Sequence, residues 1–343
     1  MFNQLQTLRD YLKSLDAKPC HEERVLRLWL QGLSLSTPGC RPQHVFPKRL
    51  AEQINALEEK LSTIAMIESK HVARDQSVRL LLKLSDAQTV ETVLLPRDGV
   101  CISSQVGCAV GCVFCMTGRS GLLRQVGSAE MLAQVALARQ IRTVRKVVFM
   151  GMGEPAHNLD NVSDVIQALG TLGGIAHKNI VFSTVGDARV FERLPTQKVK
   201  PALALSLHST KPALRAKLLP RAPRLEPSEL VSLAEAYARV TGYPIQYQWA
   251  LMDGINDGLE EIEGIVELLA GKYAVMNLIP FNSVEGADFT RPPWERAEAM
   301  AVALNKRGIL TTLRRSAGQD VEAGCGQLRA RSLPAKATAL KLV

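Results

Sequence analysis

The chain has 343 residues, a formal net charge of +9 and 46% hydrophobic residues. This length suits one large α/β domain with a small appendage, and the composition is ordinary for a globular core. No apolar run reaches the roughly eighteen residues that a membrane helix requires. The N-terminal segment also lacks the basic and apolar stretches of a secretory signal. We therefore expect a cytoplasmic protein that does not associate with membranes.

The cysteines and the charge bear on compartment and partner. Seven cysteines in a chain of this length, three of them in one tight group, fit a reducing cytoplasm better than a disulfide framework. An excess of positive charge favours an anionic partner, most commonly nucleic acid. Two acid-free segments hold much of this charge, one with Lys211, Arg215, Lys217, Arg221 and Arg224 and a tail with Arg329, Arg331, Lys336 and Lys341. Two solvated basic faces are the alternative.

The N-terminal region has a helical pattern. Leucines recur at helical spacing over 5–15, and apolar residues do so again over 25–30. A stretch rich in proline precedes a third predicted helix over 48–61. Cys20 and Cys40 belong to no ligand pattern, and we interpret them as structural.

The pattern changes from helix to strand after residue 61. Three short β-type runs, 64–67, 78–83 and 90–95, are separated by polar turns and predict a small antiparallel sheet. Glu91 lies in the third run. Taken alone, a single glutamate on a half-exposed strand is usually solvated.

From Val100 onward, apolar strands alternate with amphipathic helices, which predicts βα units and a parallel sheet. Several strands are nearly continuous apolar runs, as strands buried on both faces should be. About six repeats predict an α/β fold with an open or partial (β/α) barrel. The predicted strands lie near 100–104, 146–151, 179–184, 202–207, 245–251, 275–280 and 309–314, and the predicted helices near 128–141, 159–170, 226–240, 258–270 and 293–306.

The predicted helices and strands divide the chain into four parts. They are a helical accessory domain at 1–61, a small β extension at 62–97, a (β/α) barrel at 98–328 and a basic tail at 329–343. In such barrels the chemistry takes place at the carboxyl ends of the strands. The polar and glycine-rich motifs of the third part all follow predicted strands, so we expect them at one rim.

The most informative motif is C-x3-C-x2-C, formed by Cys108, Cys112 and Cys115. Cysteine thiolates hold iron–sulfur clusters, and three ligands leave one iron of a four-iron cluster open to a non-protein group. A zinc site would need a second ligand pair, which is missing here. Three buried thiols on one helix are the other alternative, but Gly107 and Gly111 would interrupt that helix.

Several separated motifs, in order from Glu91 to Leu328, resemble those of the RlmN/Cfr family of radical S-adenosylmethionine (SAM) RNA adenine methyltransferases. They are Val-Cys-Ile-Ser-Ser-Gln-Val-Gly-Cys, Gly-Met-Gly-Glu-Pro at 151–155, Ser-Leu-His at 206–208, Asn-Leu-Ile-Pro-Phe-Asn at 277–282 and Ala-Gly-Cys-Gly-Gln-Leu at 323–328. The proline at position 155, directly after Glu154, resembles the residue found there in the branch of the family named for RlmN. The resemblance implies a radical SAM barrel.

The resemblance also implies the cofactors. Cys108, Cys112 and Cys115 would hold a [4Fe-4S] cluster whose open iron binds SAM. The residues implied as SAM contacts are Gly153, Glu154, Ser183, Ser206, Leu207, His208 and Asn282. Glycines 151 and 153 would let the backbone approach the ligand, and Glu154 would accept hydrogen bonds from its ammonium group. Read in isolation, His208 is more typical of a satisfied polar core residue.

Three further residues receive catalytic roles from the resemblance. Cys325, in a glycine-flanked segment typical of a mobile loop, would accept a methyl group and carry it to the RNA. Glu91 would accept the proton that the adenine ring loses, and Cys101 would release the product by forming a disulfide with Cys325. A thiol there would be reactive if its pKa were lowered, and Arg314 and Arg315 are close to it in sequence. Taken alone, a single loop cysteine is more typical of an incidental thiol.

The implied reaction is methylation at C2 of an exposed adenosine in ribosomal or transfer RNA. A flavodoxin-type protein would supply electrons, and we expect a monomer. Two alternatives stay open at this point. One is methylation at C8 by the same chemistry, and the other is a non-catalytic iron–sulfur protein that binds RNA or senses redox state.

Overall fold

The computed structural model describes residues 2–38 and 45–330, and the structural statements below concern this part of the chain. Cys40 and the basic tail beyond Ala330 lie outside it. The strands are β1 (Ala65–Val72), β2 (Val78–Leu84), β3 (Thr89–Leu95), β4 (Gly99–Cys101), β5 (Gln105–Gly107), β6 (Leu122–Gln125), β7 (Lys146–Phe149), β8 (Ile180–Thr184), β9 (Ala202–Ser206), β10 (Ile245–Leu251), β11 (Ala274–Pro280) and β12 (Thr311–Leu313).

The helices of this part of the chain alternate with those strands after residue 127. They are α1 (Leu5–Ser14), α2 (Pro19–Leu30), α3 (Lys48–Glu52), α4 (Ile54–Ser62), α5 (Ser128–Ile141), α6 (Leu159–Thr171), α7 (Ala188–Arg193), α8 (Pro212–Leu218), α9 (Pro227–Thr241), α10 (Leu259–Leu269) and α11 (Trp294–Lys306). None of these helices is long and apolar enough to cross a membrane.

One mixed sheet organises the molecule, with its strands in the order β1-β2-β3-β4-β7-β8-β9-β10-β11-β12. The first four strands pair antiparallel, and every pairing from β4 to β12 is parallel. Strands β5 and β6 form a separate hairpin. The predicted α/β fold, with a partial barrel and a small antiparallel extension, is confirmed.

The N-terminal helices α1 and α2 pack against α5. The N–H of Leu5 donates to the hydroxyl of Ser128 at the start of α5, at 2.8 Å. The helix predicted over 48–61 is divided at Gln53, whose N–H bonds back three residues to the carbonyl of Leu50 at 3.1 Å. This tightened last turn ends α3 before α4 begins.

Loop contacts join the two edges of the sheet. The turn between β1 and β2 contacts the segment after β12, where the N–H of Gly318 donates to Asp75 at 3.0 Å. The N–H of Arg74 donates to Asp320 at 3.0 Å. The sheet therefore curves until its first and last strands approach each other, and it encloses an interior face.

The register of the strands shows which residues share this interior face. Cys101 pairs with Val93 of β3 and with Val148 of β7, and Ser206 pairs with Gln248, which in turn pairs with Asn277. Because side chains alternate along a strand, all of these point to the same side of the sheet. The other side holds large apolar residues packed under the helices, among them Phe149, Phe182, Leu205, Tyr247 and Trp249.

Candidate active site

The cysteine motif lies in the irregular loop that connects β5 with β6. Gly107 and Gly111 have φ angles of +80° and +67°, so the loop is not helical. A Cβ on Gly107 would lie 2.0 Å from the carbonyl oxygen of Gly121. Only glycine fits there, and its absence of a side chain lets the loop fold back onto the hairpin.

The thiols of Cys108, Cys112 and Cys115 lie close enough to influence one another. Burial, assisted by the charges of Glu154 and Cys115, raises the pKa of Cys108 to about 11. Burial also raises the pKa of Cys112, as do Cys115 and Cys108. The three thiols thus lie close together, Cys108 buried and Cys112 and Cys115 half-buried.

This donor set fits a cluster better than a single ion. In the described part of the chain, no three His, Cys, Asp or Glu side chains surround one point as ligands of one metal ion do. In a [4Fe-4S] cluster each thiolate binds a different iron, so the ligands need not meet at a point. Three thiols on one loop satisfy that requirement and leave one iron for another ligand.

Cys325 lies beside this loop although it comes from the far end of the chain. Its charge raises the pKa of Cys101, the charge of Cys115 raises the pKa of Cys325, and all three thiols are free. Hydrogen bonds fix its segment to the cysteine loop, from the N–H of Met116 to the carbonyl of Gly326 at 2.7 Å. The hydroxyl of Thr117 donates to the carbonyl of Leu328 at 2.7 Å.

The pKa of Cys325 is raised and not lowered. The surrounding protein desolvates the sulfur and raises its pKa, although one side of the residue is open to solvent. Arg314 acts in the expected direction but is outweighed. The Arg315 guanidinium instead stacks over the ring of Trp294, 4.6 Å from its centroid.

Glu91 is fully buried, so its interpretation as a solvated strand residue is wrong. Its carboxylate forms an ion pair with the buried Arg79, and it accepts the N–H of Arg329 at 2.8 Å. The alternation of side chains places it on the same face as Cys101, because Cys101 pairs with Val93. Glu91 therefore connects the interior face to the segment that carries Cys325.

Gly153 and Glu154 follow β7 at the rim. Gly153 has a φ of +103°, and a Cβ there would lie 2.5 Å from the Cβ of Gln105. A Cβ on Gly151 would lie 2.6 Å from the carbonyl of Ile102. Both glycines are thus required by close packing against the chain before the cysteine loop, whatever their contact with a ligand.

Glu154 is buried, and its oxygens accept the N–H groups of Ala156 at 3.1 Å and Val185 at 3.0 Å. Burial raises its pKa to about 7 in spite of these bonds. Its charge also acts on Cys108 and Cys112, so it faces the cysteine loop. A cationic group arriving here would gain a carboxylate partner.

The remaining predicted SAM contacts end or follow β8, β9 and β11. Ser183 and Ser206 are half-buried, and Leu207 is fully buried. His208 has a φ of +63° and its Nδ1 accepts the N–H of Ala250 at 2.9 Å. Burial, assisted by the charge of Arg215, lowers the pKa of His208 to about 3, so the ring is neutral.

Asn282 provides the clearest sign of a missing ligand. Its Nδ2 donates to the hydroxyl of Ser316 at 2.8 Å and to the carbonyl of Cys325 at 3.0 Å. Its Oδ1 is buried and has no hydrogen-bond partner. Buried acceptors are rarely left unsatisfied, so this oxygen suits a donor on a bound molecule such as SAM.

Sequence reasoning missed three contributors to this site. The side chain of Gln105 accepts the N–H of Glu154 and donates to Gln125, Arg79 pairs with Glu91, and Arg215 lies on a helix bonded to the cysteine loop. The strand register would have placed Arg79 near Glu91, because the predicted hairpin sets their strands side by side. No comparable signal distinguishes Arg215 from its basic neighbours.

Comparison with known proteins agrees with this geometry. A model of the radical SAM superfamily matches residues 102–269. A probable RNA methyltransferase of Aromatoleum aromaticum is 67% identical over 324 residues, covering 94% of this chain and 91% of that protein. Another from Methylibium petroleiphilum is 66% identical over 329 residues, covering 96% of this chain and 93% of that protein.

Solved structures give the same answer. The crystal structure of a radical SAM methyltransferase from Sphaerobacter thermophilus superposes with a TM-score of 0.82 at 33% identity, covering 95% of this chain and 98% of that one. The fold and the cysteine loop thus define a radical SAM enzyme, which depends on SAM. The chain belongs to the RlmN/Cfr family of radical SAM methyltransferases.

Proposed function

We propose that this enzyme methylates C2 of an exposed adenosine in RNA and that Cys325 carries the methyl group. The observation that supports this most is the meeting of Cys101, Cys115 and Cys325 at one rim, since these thiols come from opposite ends of the catalytic region. RNA is the substrate named for the relatives, and the exposed cations Lys211, Lys217, Arg221 and Arg224 follow β9 at the same rim.

In this proposal Cys108, Cys112 and Cys115 hold a [4Fe-4S] cluster. Gly153, Glu154, Ser183, Ser206, Leu207, His208 and Asn282 surround SAM. When bound, the two cofactors supply the methyl group and the radical that removes one hydrogen from it. Glu154 pairs with the SAM ammonium group, and the free Oδ1 of Asn282 accepts one of the ligand's hydrogens.

The protein's own groups complete the transfer. The Cys325 sulfur loses its proton and gains the methyl group, and its position beside the cysteine loop holds that methyl near the cofactors. After the carbon joins the base, Glu91 accepts the proton that C2 loses, and the oxidised cluster, when bound, would take up the one electron that the adduct must also lose. The Cys101 thiolate then bonds to the Cys325 sulfur as the carbon–sulfur bond breaks. The electron pair of that bond stays on the carbon, which takes up a proton and becomes the methyl group. The resulting disulfide holds two electrons fewer than the two thiols, so an external reductant must restore them.

The other parts of the chain have supporting roles in the proposal. The accessory helices of residues 1–61 grip the RNA, whether it is ribosomal or transfer RNA, and the small β extension of residues 62–97 carries Glu91. A flavodoxin-type donor supplies electrons to a monomer whose barrel spans residues 98–328. Pro155 favours C2 over C8 as the methylated position.

The test uses cluster-loaded enzyme, SAM, a reductant and RNA from cells that lack the protein, under anaerobic conditions. Digested RNA is analysed by mass spectrometry against 2-methyladenosine and 8-methyladenosine standards. We expect 2-methyladenosine, and S-methylcysteine at Cys325 in the untreated enzyme. Formation of 8-methyladenosine would contradict C2 as the methylated position. Methylation of RNA by the Cys325→Ala variant would contradict Cys325 as the carrier of the methyl group.

Variants separate the three catalytic roles. Cys101→Ala should trap RNA covalently on Cys325, because nothing attacks the sulfur to release it. Glu91→Gln should slow product formation roughly 100-fold or more, the usual contribution of a general base. Cys20→Ala is the matched control, since Cys20 is a free thiol on α2 and should leave all steps unchanged.

A further inference from the structure

Arg215 differs from the other cations of its segment because its side chain is buried. It lies on α8 and is 4% exposed, whereas Lys211, Lys217, Arg221 and Arg224 are exposed. A buried guanidinium cannot meet an RNA phosphate at the surface. From the sequence, we interpreted this basic segment as a single RNA-binding unit. The burial of Arg215 shows that this residue has a different role.

The helix that carries Arg215 is bonded directly to the cysteine loop. The N–H of Val113 donates to the carbonyl of Leu218 at 3.1 Å, and the N–H of Arg221 donates to the carbonyl of Val110 at 3.3 Å. Leu218 and Leu219 also share a small buried cluster with Cys108 and Val110. The position of Arg215 relative to the cysteines is thus fixed by backbone bonds and packing.

The hydrogen bonds of Arg215 leave its charge without a counter-ion. It donates to the carbonyls of Val185 and Ser206, and its Nε is buried without a partner. No carboxylate in the described part of the chain lies within salt-bridge distance of it. A buried charge without a partner is costly, so an anion is expected nearby when the enzyme is complete.

Cys112 directly precedes Val113, whose N–H bonds to the helix of Arg215, and its thiol interacts with the charge of Arg215. Burial lowers the pKa of Arg215 to about 10, and interaction with Cys112 opposes that change. A cysteine that binds metal does so as a thiolate. Loading the cluster therefore places negative charge beside the guanidinium, while the neutral His208 adds no second cation there.

We propose that Arg215 is a positioning residue whose positive charge stabilises the Cys112 thiolate and the anionic cluster attached to it, and thereby sets the cluster's reduction potential. Reduction adds one more negative charge to the cluster, so a fixed cation beside it favours the reduced state. The inference rests on the cluster of the proposed function and is independent of the RNA substrate and of the methyl carrier.

The test measures the midpoint potential of the cluster in full-length loaded protein, by redox titration without SAM or RNA. Arg215→Gln, which removes the charge, should shift the potential to a more negative value and speed the loss of iron to a chelator. Arg215→Lys keeps the charge and should stay near the wild type. Arg221→Gln is the matched control, because Arg221 donates to the carbonyl of Ala109 in the same loop from an exposed position, at 3.0 Å.

An unchanged potential in fully loaded Arg215→Gln would overturn the inference, and so would an equal shift in Arg215→Lys, which would indicate a purely structural role. Weaker SAM binding at unchanged potential would assign Arg215 to the SAM carboxylate instead. If Arg215→Gln does not fold, Arg215→Met removes the charge with an apolar side chain and is judged by the same criteria. Wild-type protein that takes up no cluster would contradict the proposed function itself.

Discussion

Glu154 combines a buried carboxylate with a pKa raised to about 7, whereas an ordinary glutamate titrates near 4.5. The folded apoprotein therefore binds one more proton than the unfolded chain between these pH values. By linkage, the free energy of unfolding falls as pH rises from about 4.5 to about 7. The full contribution of this carboxyl is about 3 kcal/mol.

Glu154→Gln should remove that contribution, because the amide does not titrate. Urea unfolding of both apoproteins between pH 4.5 and 8 gives the two curves. The buried His208 has a pKa lowered to about 3, so it makes stability rise with pH up to about 6.5, but equally in both proteins. Parallel curves would contradict the raised pKa of Glu154.

A substitution at Gly153 tests whether close packing at the carboxyl-terminal rim of the sheet positions the site. Gly153→Ala forces a side chain to a φ of +103° and places its Cβ 2.5 Å from that of Gln105. We expect the apoprotein to lose about 1–3 kcal/mol of stability and SAM binding to weaken, because Gln105 also bonds to the N–H of Glu154. Chemical unfolding and equilibrium binding of SAM measure the two effects.

Gly242→Ala is the control for backbone strain alone. Gly242 ends α9 with a φ of +71°, and a Cβ there meets nothing within 4 Å. The Gly242→Ala substitution should lower the free energy of unfolding by about 1 kcal/mol and leave SAM binding unchanged. Equal SAM affinity in Gly153→Ala would show that packing at Gly153 does not position the site.

At the scale of elements, Arg139 on α5 joins three chain segments. Its guanidinium donates to the carbonyls of Leu30 at 2.8 Å, Val144 at 3.2 Å and Gly173 at 2.8 Å. These carbonyls lie at the end of α2, before β7 and after α6. One side chain therefore holds the N-terminal helices and the first βα unit together.

Arg139→Met should lower the free energy of unfolding by about 2–3 kcal/mol, because several charge-assisted hydrogen bonds are lost. Arg142→Met is the comparison, since Arg142 makes one such bond, to the carbonyl of Gln76, from an exposed position. It should change stability by no more than about 0.5 kcal/mol. Similar losses in both variants would contradict the bridging role.

The long elements were predictable from sequence, and the short ones were not. The parallel strands stand out because both faces are buried, as in Ala202–Ser206, and the long helices because their apolar residues repeat. The hairpin of β5 and β6 and the helices α7 and α8 are too short for a pattern. Tertiary contacts such as that between Val113 and Leu218 determine them.

The candidate site, too, was predictable from the sequence only in part. Its motifs were predicted at one rim because parallel strands end together. The burial of Glu91 and Arg215 could not be read from the chain, since charged residues are usually exposed. Their partners come from distant segments, Arg329 for Glu91 and the cysteine loop for Arg215, and only the folded topology brings these together.

At the scale of the whole molecule, the basic rim should meet RNA through phosphates. Lys217→Ala removes an exposed charge beside the cysteine loop. Binding of a single-stranded RNA should weaken, and the slope of log affinity against log salt should fall by about 0.7, the value for one lost phosphate contact. Fluorescence anisotropy at several salt concentrations measures both.

Lys272→Ala is the control at the opposite end of the barrel. Lys272 is exposed and precedes β11, so it lies at the amino-terminal ends of the parallel strands. Its removal lowers the net charge equally but should leave the slope unchanged. An equal effect of both variants would show that overall charge, and not the rim, attracts RNA.

Residues 323–330 cover the candidate site, and they are synthesised after the cysteine loop. These residues are bonded to Met116, Thr117 and Glu91, so they cover the cysteine loop from the side. During synthesis the loop is made about two hundred residues earlier, and segments made first can fold first. If these three thiols hold the proposed cluster, iron and sulfide can reach them before the covering segment is made. Delivery of the metal to the growing chain would avoid having to reopen a finished enzyme.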